Sequence, residues 1–314
     1  MGRSSIILIG TRGSALALAQ AEQVRSKMRL FFPQQELKLE VIQTTGDRVS
    51  KDFGLISNPD DSIQGLFTKE LDEALLTGRI QAAVHSLKDV PTVLVSGLKY
   101  GAFLKREDYR DVLISKNSLR FAQLISGSRI GTSSPRREAQ LKLARPDLEI
   151  KHLRGNLDTR LRKLHSGEYE AVVVAGAGVK RLGRESEITE WLDPDVSLPA
   201  PAQGVLCVVL REEDRDMEKA LEPLNDRNSR VTSIAERSFL RTLQGGCRVP
   251  VGALARVDER ELLLSGMIVD PTSRRMIKIE RVGTIENPSE LGEALAKDFL
   301  IQGAMDILKN YGRS

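Results

Sequence analysis

Short apolar runs separated by amphipathic stretches set the grammar of the first two-thirds of the chain. Apolar or alternating residues over Ser5–Gly10 and Leu37–Thr44 predict strands, and the helical spacing across Ser14–Leu30 predicts an amphipathic helix between them. Thr68–Thr77 reads as a helix with Thr68 at its N-cap and Leu71, Leu75 and Leu76 on one face, followed by a short strand at Ala82–His85. The polar stretch Asp47–Gly65, with its Asn58-Pro59-Asp60-Asp61 cluster, predicts a long mobile loop. Strand–helix–strand order at this spacing means α/β with a parallel sheet.

A second unit of the same kind follows. Asp111–Ser115, Ser128–Gly131, Glu149–Leu153, Glu170–Ala175 and Gln203–Leu210 read as strands, with helices at Pro135–Ala144 and Leu157–His165. From about Pro223 the pattern changes. A helix over Ser229–Leu243 precedes a Gly-Gly turn, three antiparallel-looking strands (Val251–Val257, Glu261–Val269, Arg275–Val282) and one final helix over Ser289–Lys309. That is an α+β module. No repeat or low-complexity tract interrupts the series.

Length bounds the domain count: 314 residues exceed one ordinary domain. Hydrophobic residues at 40% fill a core, while a mean hydropathy of −0.24 suits a soluble chain. The longest apolar run, about Ala171–Val179, is half of what a membrane span needs, and Met1–Ile9 has no signal-peptide pattern. Two cysteines cannot build a disulfide scaffold, so a reducing compartment is expected. Three scattered histidines give no metal-ligand spacing, and no metal is expected. The net charge of +4 argues against a strong non-specific nucleic-acid binder. Its make-up says more: 31 arginines stand against 16 lysines, and nine arginines fall between Arg129 and Arg184. Most serve solvated helix faces, but guanidinium forks also match carboxylates or phosphates bidentately.

Several motifs admit two readings. Gly131-Thr132-Ser133-Ser134-Pro135-Arg136-Arg137 at a strand-to-helix junction is an N-cap with proline in the first turn, and also an anion site of hydroxyls, free amides and paired arginines. Leu153-Arg154-Gly155-Asn156 repeats it, with Arg160 one helical turn on. Ser86, Lys88 and Asp89 follow a strand's carboxyl end, where clefts of open α/β sheets lie, or they form a plain turn with a surface ion pair. Gly245-Gly246-Cys247-Arg248 presents a thiol on a tight turn beside a cation that favours thiolate, although a lone cysteine is more often a small buried hydrophobe. Cys207, inside an apolar run, reads as buried. Gly176-Ala177-Gly178 lacks the third glycine and the acidic partner of a dinucleotide fingerprint, so NAD is excluded.

Taken in chain order, these segments resemble the porphobilinogen deaminase (hydroxymethylbilane synthase) family of tetrapyrrole biosynthesis. The residues that carry the resemblance are Thr11-Arg12-Gly13-Ser14, Gly65 through Leu71, Ala83 through Pro91, Arg106-Glu107-Asp108, Gly131 through Arg137, Leu153 through Asn156 with Thr159-Arg160-Leu161, Ala177 through Gly183, Ala202-Gln203-Gly204, and Ala235-Glu236-Arg237 leading to Gly245 through Pro250. The resemblance implies two doubly wound domains like those of periplasmic binding proteins (1–104 with 205–222, and 105–204) and a smaller α+β domain (223–314). It implies a transferase that deaminates four porphobilinogen molecules and joins them into hydroxymethylbilane. A dipyrromethane primer, made from substrate, is held through a thioether on Cys247. Asp89 would be the catalytic carboxylate, hydrogen-bonding pyrrole N–H groups and stabilising the azafulvene cation left when ammonia departs. Ser86, Lys88, Asp89, Thr132, Ser134, Arg136 and Arg137 would hold the cofactor, and Arg12, Ser14, Arg154, Arg160, Arg181 and Gln203 the substrate.

Two residues depart from the family pattern. Gln64 replaces a lysine before Gly65, which removes one expected carboxylate contact, and Pro135 replaces an aliphatic residue ahead of the paired arginines. The partner expected is porphobilinogen, with no nucleic acid and no membrane, for a cytoplasmic monomer (or one in an organelle stroma or matrix after loss of a transit peptide). A two-lobed binder of anionic ligands without catalysis would have no use for Cys247. An RNA-binding protein would need aromatic platforms, but aromatics are 4% and none clusters with Arg129–Arg184.

Overall fold

The computed structural model describes residues 6–46, 67–243, 249–270 and 275–311. Asp47–Gly65, with Gln64, and the turn carrying Gly245, Gly246, Cys247 and Arg248 lie outside the described residues. The chain divides into two compact units: residues 1–106 with 205–230, and residues 107–204 with 231–314.

The first unit is built on β1 (Ile6–Thr11), β2 (Glu36–Val41), β3 (Ala82–Ser86), β4 (Leu98–Phe103) and β10 (Leu206–Arg211), in the order β2-β1-β3-β10-β4. β1 runs parallel to both β2 and β3, whereas β10 is antiparallel to β3 and to β4. The sheet is therefore mixed, not wholly parallel. The returning strand β10 enters only after the chain has completed residues 107–204, so it runs against its neighbours. Cys207 on β10 is fully buried. Helix α1 (Ala15–Met28) buries Ala21, Val24 and Met28 against Ile7, Ile9 and Leu37. Helix α2 (Lys69–Leu76) differs from expectation in two details: Thr68 makes no side-chain cap, and Leu76 is exposed while Leu71 and Leu75 are buried.

The second unit holds two sheets. One is β7-β6-β8-β5-β9, formed by β5 (Asp111–Ser115), β6 (Arg129–Gly131), β7 (Glu149–Lys151), β8 (Ala171–Ala175) and β9 (Glu190–Trp191). Here β6 is parallel to β7 and β8, and β5 is antiparallel to β8. Helices α3 (Pro135–Ala144), α4 (Leu157–His165) and α5 (Gly176–Arg181) each follow one of the parallel strands. Gly176 and Gly178 serve helix α5 rather than a nucleotide: a Cβ on Gly176 would stand 2.2 Å from the Trp191 ring.

The other sheet is the meander β11 (Val251–Asp258), β12 (Glu261–Val269) and β13 (Met276–Thr284). Helix α6 (Arg215–Leu221) belongs to the first unit, and helix α7 (Arg227–Thr242) packs its later turns on this meander with α8 (Pro288–Ile301) and α9 (Ala304–Tyr311). Phe239 and Phe299 meet edge to face at its centre, 4.9 Å apart. The single C-terminal helix expected from sequence is two helices, because Gly303 takes a left-handed φ of 85° and ends the first. Within this unit, Ala139 of α3 and Leu198 pack with Leu254 and Met267 of the meander.

Gly292 lets α8 approach α7 closely, since its Cβ position lies 2.3 Å from the Ala235 carbonyl oxygen and 2.7 Å from the Phe239 nitrogen. Backbone cannot yield as a flexible side chain does. Gly292→Ala is expected to destabilise the protein by about 1–3 kcal/mol, read as a lower midpoint in denaturant unfolding.

Candidate active site

Parallel strands end on one edge of their sheet, and each unit gathers polar groups at such an edge. In the first unit, β1 and β3 are neighbours, so the turns after Thr11 and Ser86 open on the same side. Ser14 caps α1 by accepting the Ala17 N–H, and Thr11 Oγ1 donates to the Ala17 carbonyl at 3.0 Å. Ser86 Oγ accepts from Gln20 Nε2 of α1 at 2.9 Å, which ties the two turns together. Arg12 lies over the Phe67 ring, 4.1 Å from its centre. Leu87–Asp89 forms a 3-10 turn in which Leu87 is buried, Lys88 half-buried and Asp89 exposed. His85, one residue before Ser86, is buried. Burial first, and then the Arg12 guanidinium, push its imidazole down to about 4, so it is neutral.

In the second unit three parallel strands deliver three turns to one edge. After β6, Thr132 Oγ1 accepts the Ser134 N–H at 3.2 Å, and Ser134 caps α3 with Pro135 in its first turn. After β7, Asn156 caps α4, while Arg160 Nε donates to the Gly155 carbonyl at 2.8 Å. After β8, α5 ends on Arg181, whose Nη2 donates to the Gly204 carbonyl at 2.7 Å. Ser133 of the same motif donates to the Leu153 carbonyl at 2.6 Å and joins the first two turns.

Arg136 and Arg137 do not extend from this edge. Both are buried and both close on Asp111, at 2.8 and 2.7 Å, at the start of β5. Ser197 Oγ and Gln203 Nε2 also donate to Asp111, at 2.8 and 2.9 Å. The remaining Nη groups are used on carbonyls: Arg136 Nη1 on Leu198 at 2.6 Å and Arg137 Nη1 on Val173 at 3.2 Å. Coulombic attraction from the two arginines and four donated hydrogen bonds overcome the burial of Asp111 and hold its carboxyl far below the usual carboxylate range. Gln203 thus lies on the Asp111 cluster. Nothing in sequence marks Asp111, a lone acid opening the apolar strand Asp111–Ser115.

One carboxylate between two guanidinium groups leaves this buried cluster with a positive charge in excess. The Nε–H groups of Arg136, Arg137 and Arg181 are buried and have no acceptor among the described residues. Arg181 also lacks an ion pair to any described carboxylate, and burial pushes it down to about 10 against the pull of Glu107. Orphaned buried donors are costly, and carboxylates are the acceptors they suit. No group of three or more His, Cys, Asp or Glu able to hold a metal occurs among the described residues.

Residues 7–219 match the family model described as "Porphobilinogen deaminase, dipyromethane cofactor binding domain", and residues 231–301 match "Porphobilinogen deaminase, C-terminal domain". A porphobilinogen deaminase of Syntrophobacter fumaroxidans is 41% identical over 311 residues, covering 98% of this chain and 99% of its own. That of Syntrophus aciditrophicus is 45% identical over 302 residues, covering 96% and 97%. The solved methionine-binding protein MetQ is similar at 13% identity across 70% of this chain and 89% of its own, with a TM-score of 0.44.

Removing the Asp111 charge would leave two guanidinium groups buried without their anion. Asp111→Asn is expected to lower unfolding free energy by about 3–5 kcal/mol, measured by chemical denaturation at pH 7. His85 adds a pH signature. The unfolded chain binds its proton near pH 6.5 and the folded one only near 4, so the stability it confers is full above the first value and lost as pH falls toward the second. The slope through that window is up to about 1.4 kcal/mol per pH unit, and His85→Gln should remove it.

Proposed function

The chain belongs to the porphobilinogen deaminase family, and from that membership we propose how its residues deaminate four porphobilinogen molecules and join them head to tail into hydroxymethylbilane. The observation that carries the reading is the set of buried guanidinium N–H groups without acceptors on Arg136, Arg137 and Arg181. Each substrate ring brings an acetate and a propionate, and the dipyrromethane cofactor brings two of each. Such carboxylates are the partners these donors lack, so the residues present fit the group.

Cys247 would carry the dipyrromethane through a thioether. Ser86, Lys88, Asp89, Thr132, Ser134 and the Nε–H groups of Arg136 and Arg137 would hold it. When bound, the dipyrromethane supplies an electron-rich pyrrole carbon as the nucleophile. Arg12, Ser14, Arg154, Arg160 and Arg181 take substrate carboxylates, and Gln203 contributes by fixing Asp111.

At each addition the aminomethyl C–N bond of porphobilinogen breaks, ammonia leaves, and a carbon–carbon bond forms at the cationic carbon left behind. Asp89 accepts pyrrole N–H hydrogen bonds and stabilises that positive charge, then takes the proton that the attacked ring releases. Its exposure at the end of a short turn leaves the carboxylate open to substrate.

Three separate sheets, each with its own hydrophobic core, support a division into three domains. No helix among the described residues is long and apolar enough to cross a membrane. From the family membership, and not from that observation, we propose a cytoplasmic monomer.

Asp89→Asn keeps the shape of the side chain and removes its charge. We expect kcat to fall by about 100-fold or more while intact mass still shows the primer attached. Normal turnover by this variant would overturn the assignment of Asp89.

A further inference from the structure

The turn after β7 carries a residue that neither the sequence motifs nor the family assignment uses. The extended backbone continues beyond Lys151, and side chains two apart then share a face. Leu153 points inward and is fully buried, which turns His152 and Arg154 together to the outside. Arg154 Nε donates to His152 Nε2 at 2.8 Å. The platform beneath them is fixed at several points. Tyr169 Oη, on a largely buried ring, donates to the His152 carbonyl at 2.9 Å, Ser133 Oγ donates to the Leu153 carbonyl at 2.6 Å, and the Leu153 N–H donates to the Thr132 carbonyl at 3.2 Å. Both residues are exposed overall, and the bond between their side chains orients one against the other.

A guanidinium group offers a carboxylate two forks, one from Nε with an Nη and one from the two Nη groups. Occupying Nε removes the first. We propose that His152 is the positioning residue for Arg154, its neutral Nε2 engaging the Nε–H so that the guanidinium presents its two Nη groups to a substrate carboxylate. This rests on the reading of Arg154 as a carboxylate-binding residue and adds to it the group that decides which edge is offered.

The arrangement requires an unprotonated imidazole, because imidazolium has no lone pair to accept with. The groups facing His152 are Arg154 on its own turn, Arg160 on α4, and Glu138 on α3, itself paired with Lys142 at 2.7 Å. Burial and the two arginines lower the imidazole from its ordinary value, and Glu138 opposes them. At neutral pH the acceptor is therefore in place. As pH falls through the imidazole's titration, the bond is lost, two cations face each other, and Arg154 leaves the presented orientation. KM for porphobilinogen should rise on the acid side while kcat holds, by about threefold for one exposed hydrogen bond.

Two measurements on the holoenzyme test this. The first follows the His152 imidazole by NMR against pH in the wild type and in Arg154→Ala. Its midpoint should lie below the ordinary histidine value in the wild type and move up toward it in the variant; equal midpoints would overturn the proposal. The second compares KM across pH 5.5–8 for the wild type, His152→Gln and His152→Phe. Glutamine keeps a neutral acceptor at a similar reach, so its KM should match the wild type at pH 8 and lack the extra rise in acid. Phenylalanine keeps bulk without an acceptor, so its KM should be raised at every pH. Identical KM profiles for all three would contradict the proposal. Arg154→Ala separates the two readings. An unchanged KM in that variant defeats the carboxylate role of Arg154 itself, whereas a raised KM alongside indifferent His152 variants defeats only the positioning role.

Discussion

The Asp111 carboxylate is the constraint from which the second unit's chemistry follows. Four side chains converge on it: Arg136 and Arg137 from the first turn of α3, Ser197 from the segment after β9, and Gln203 from the turn that leads to β10. A buried guanidinium without an anion is far too costly to keep, and two of them share this one. Sharing fixes the register of α3 against β5, and through Leu198 it fixes the same helix against the meander. It also leaves an unneutralised positive charge at the edge where Thr132 and Ser134 open. In the proposed reading, the same ion cluster that holds the frame also favours a bound polyanion.

Charge arithmetic gives that preparation a purpose. A primer extended by four rings carries twelve carboxylates, since every ring adds an acetate and a propionate. A site for such a product needs many cations with fixed geometry. Lysines on flexible stems would give weak order, whereas guanidinium groups with one fork already engaged offer the other in a set direction. Arg181 on the Gly204 carbonyl and Arg154 on His152 follow this plan. Neutral oxygen and nitrogen acceptors orient each arginine without consuming its charge.

Much of this architecture was legible in the sequence where local and tertiary demands agree. Pro135–Ala144, Leu157–His165 and Glu261–Val269 have the expected bounds, because caps, helical spacing and turn residues all point one way. β4 was missed: Gly101 interrupts its pattern, and that glycine answers to Leu210, whose side chain would meet a Cβ at 2.1 Å. The break at Gly303 went unread because the apolar spacing continues across it. Among site residues, the motif reading found the edge turns but not what their side chains touch. The family resemblance gives Arg136 and Arg137 to the cofactor, and the structure adds that most of their donors are engaged by Asp111, Ser197, Leu198 and Val173. A contact to a residue 25 positions away leaves no local trace in either segment.

Synthesis on a primer bound to Cys247 is the step on which the function of the whole chain turns. The most direct test is the intact mass of the purified protein under denaturing conditions, where only covalent additions survive. An excess equal to two linked pyrrole units is expected in the wild type, and its loss in Cys247→Ser. A wild-type mass equal to the bare chain, even after incubation with porphobilinogen, would contradict it.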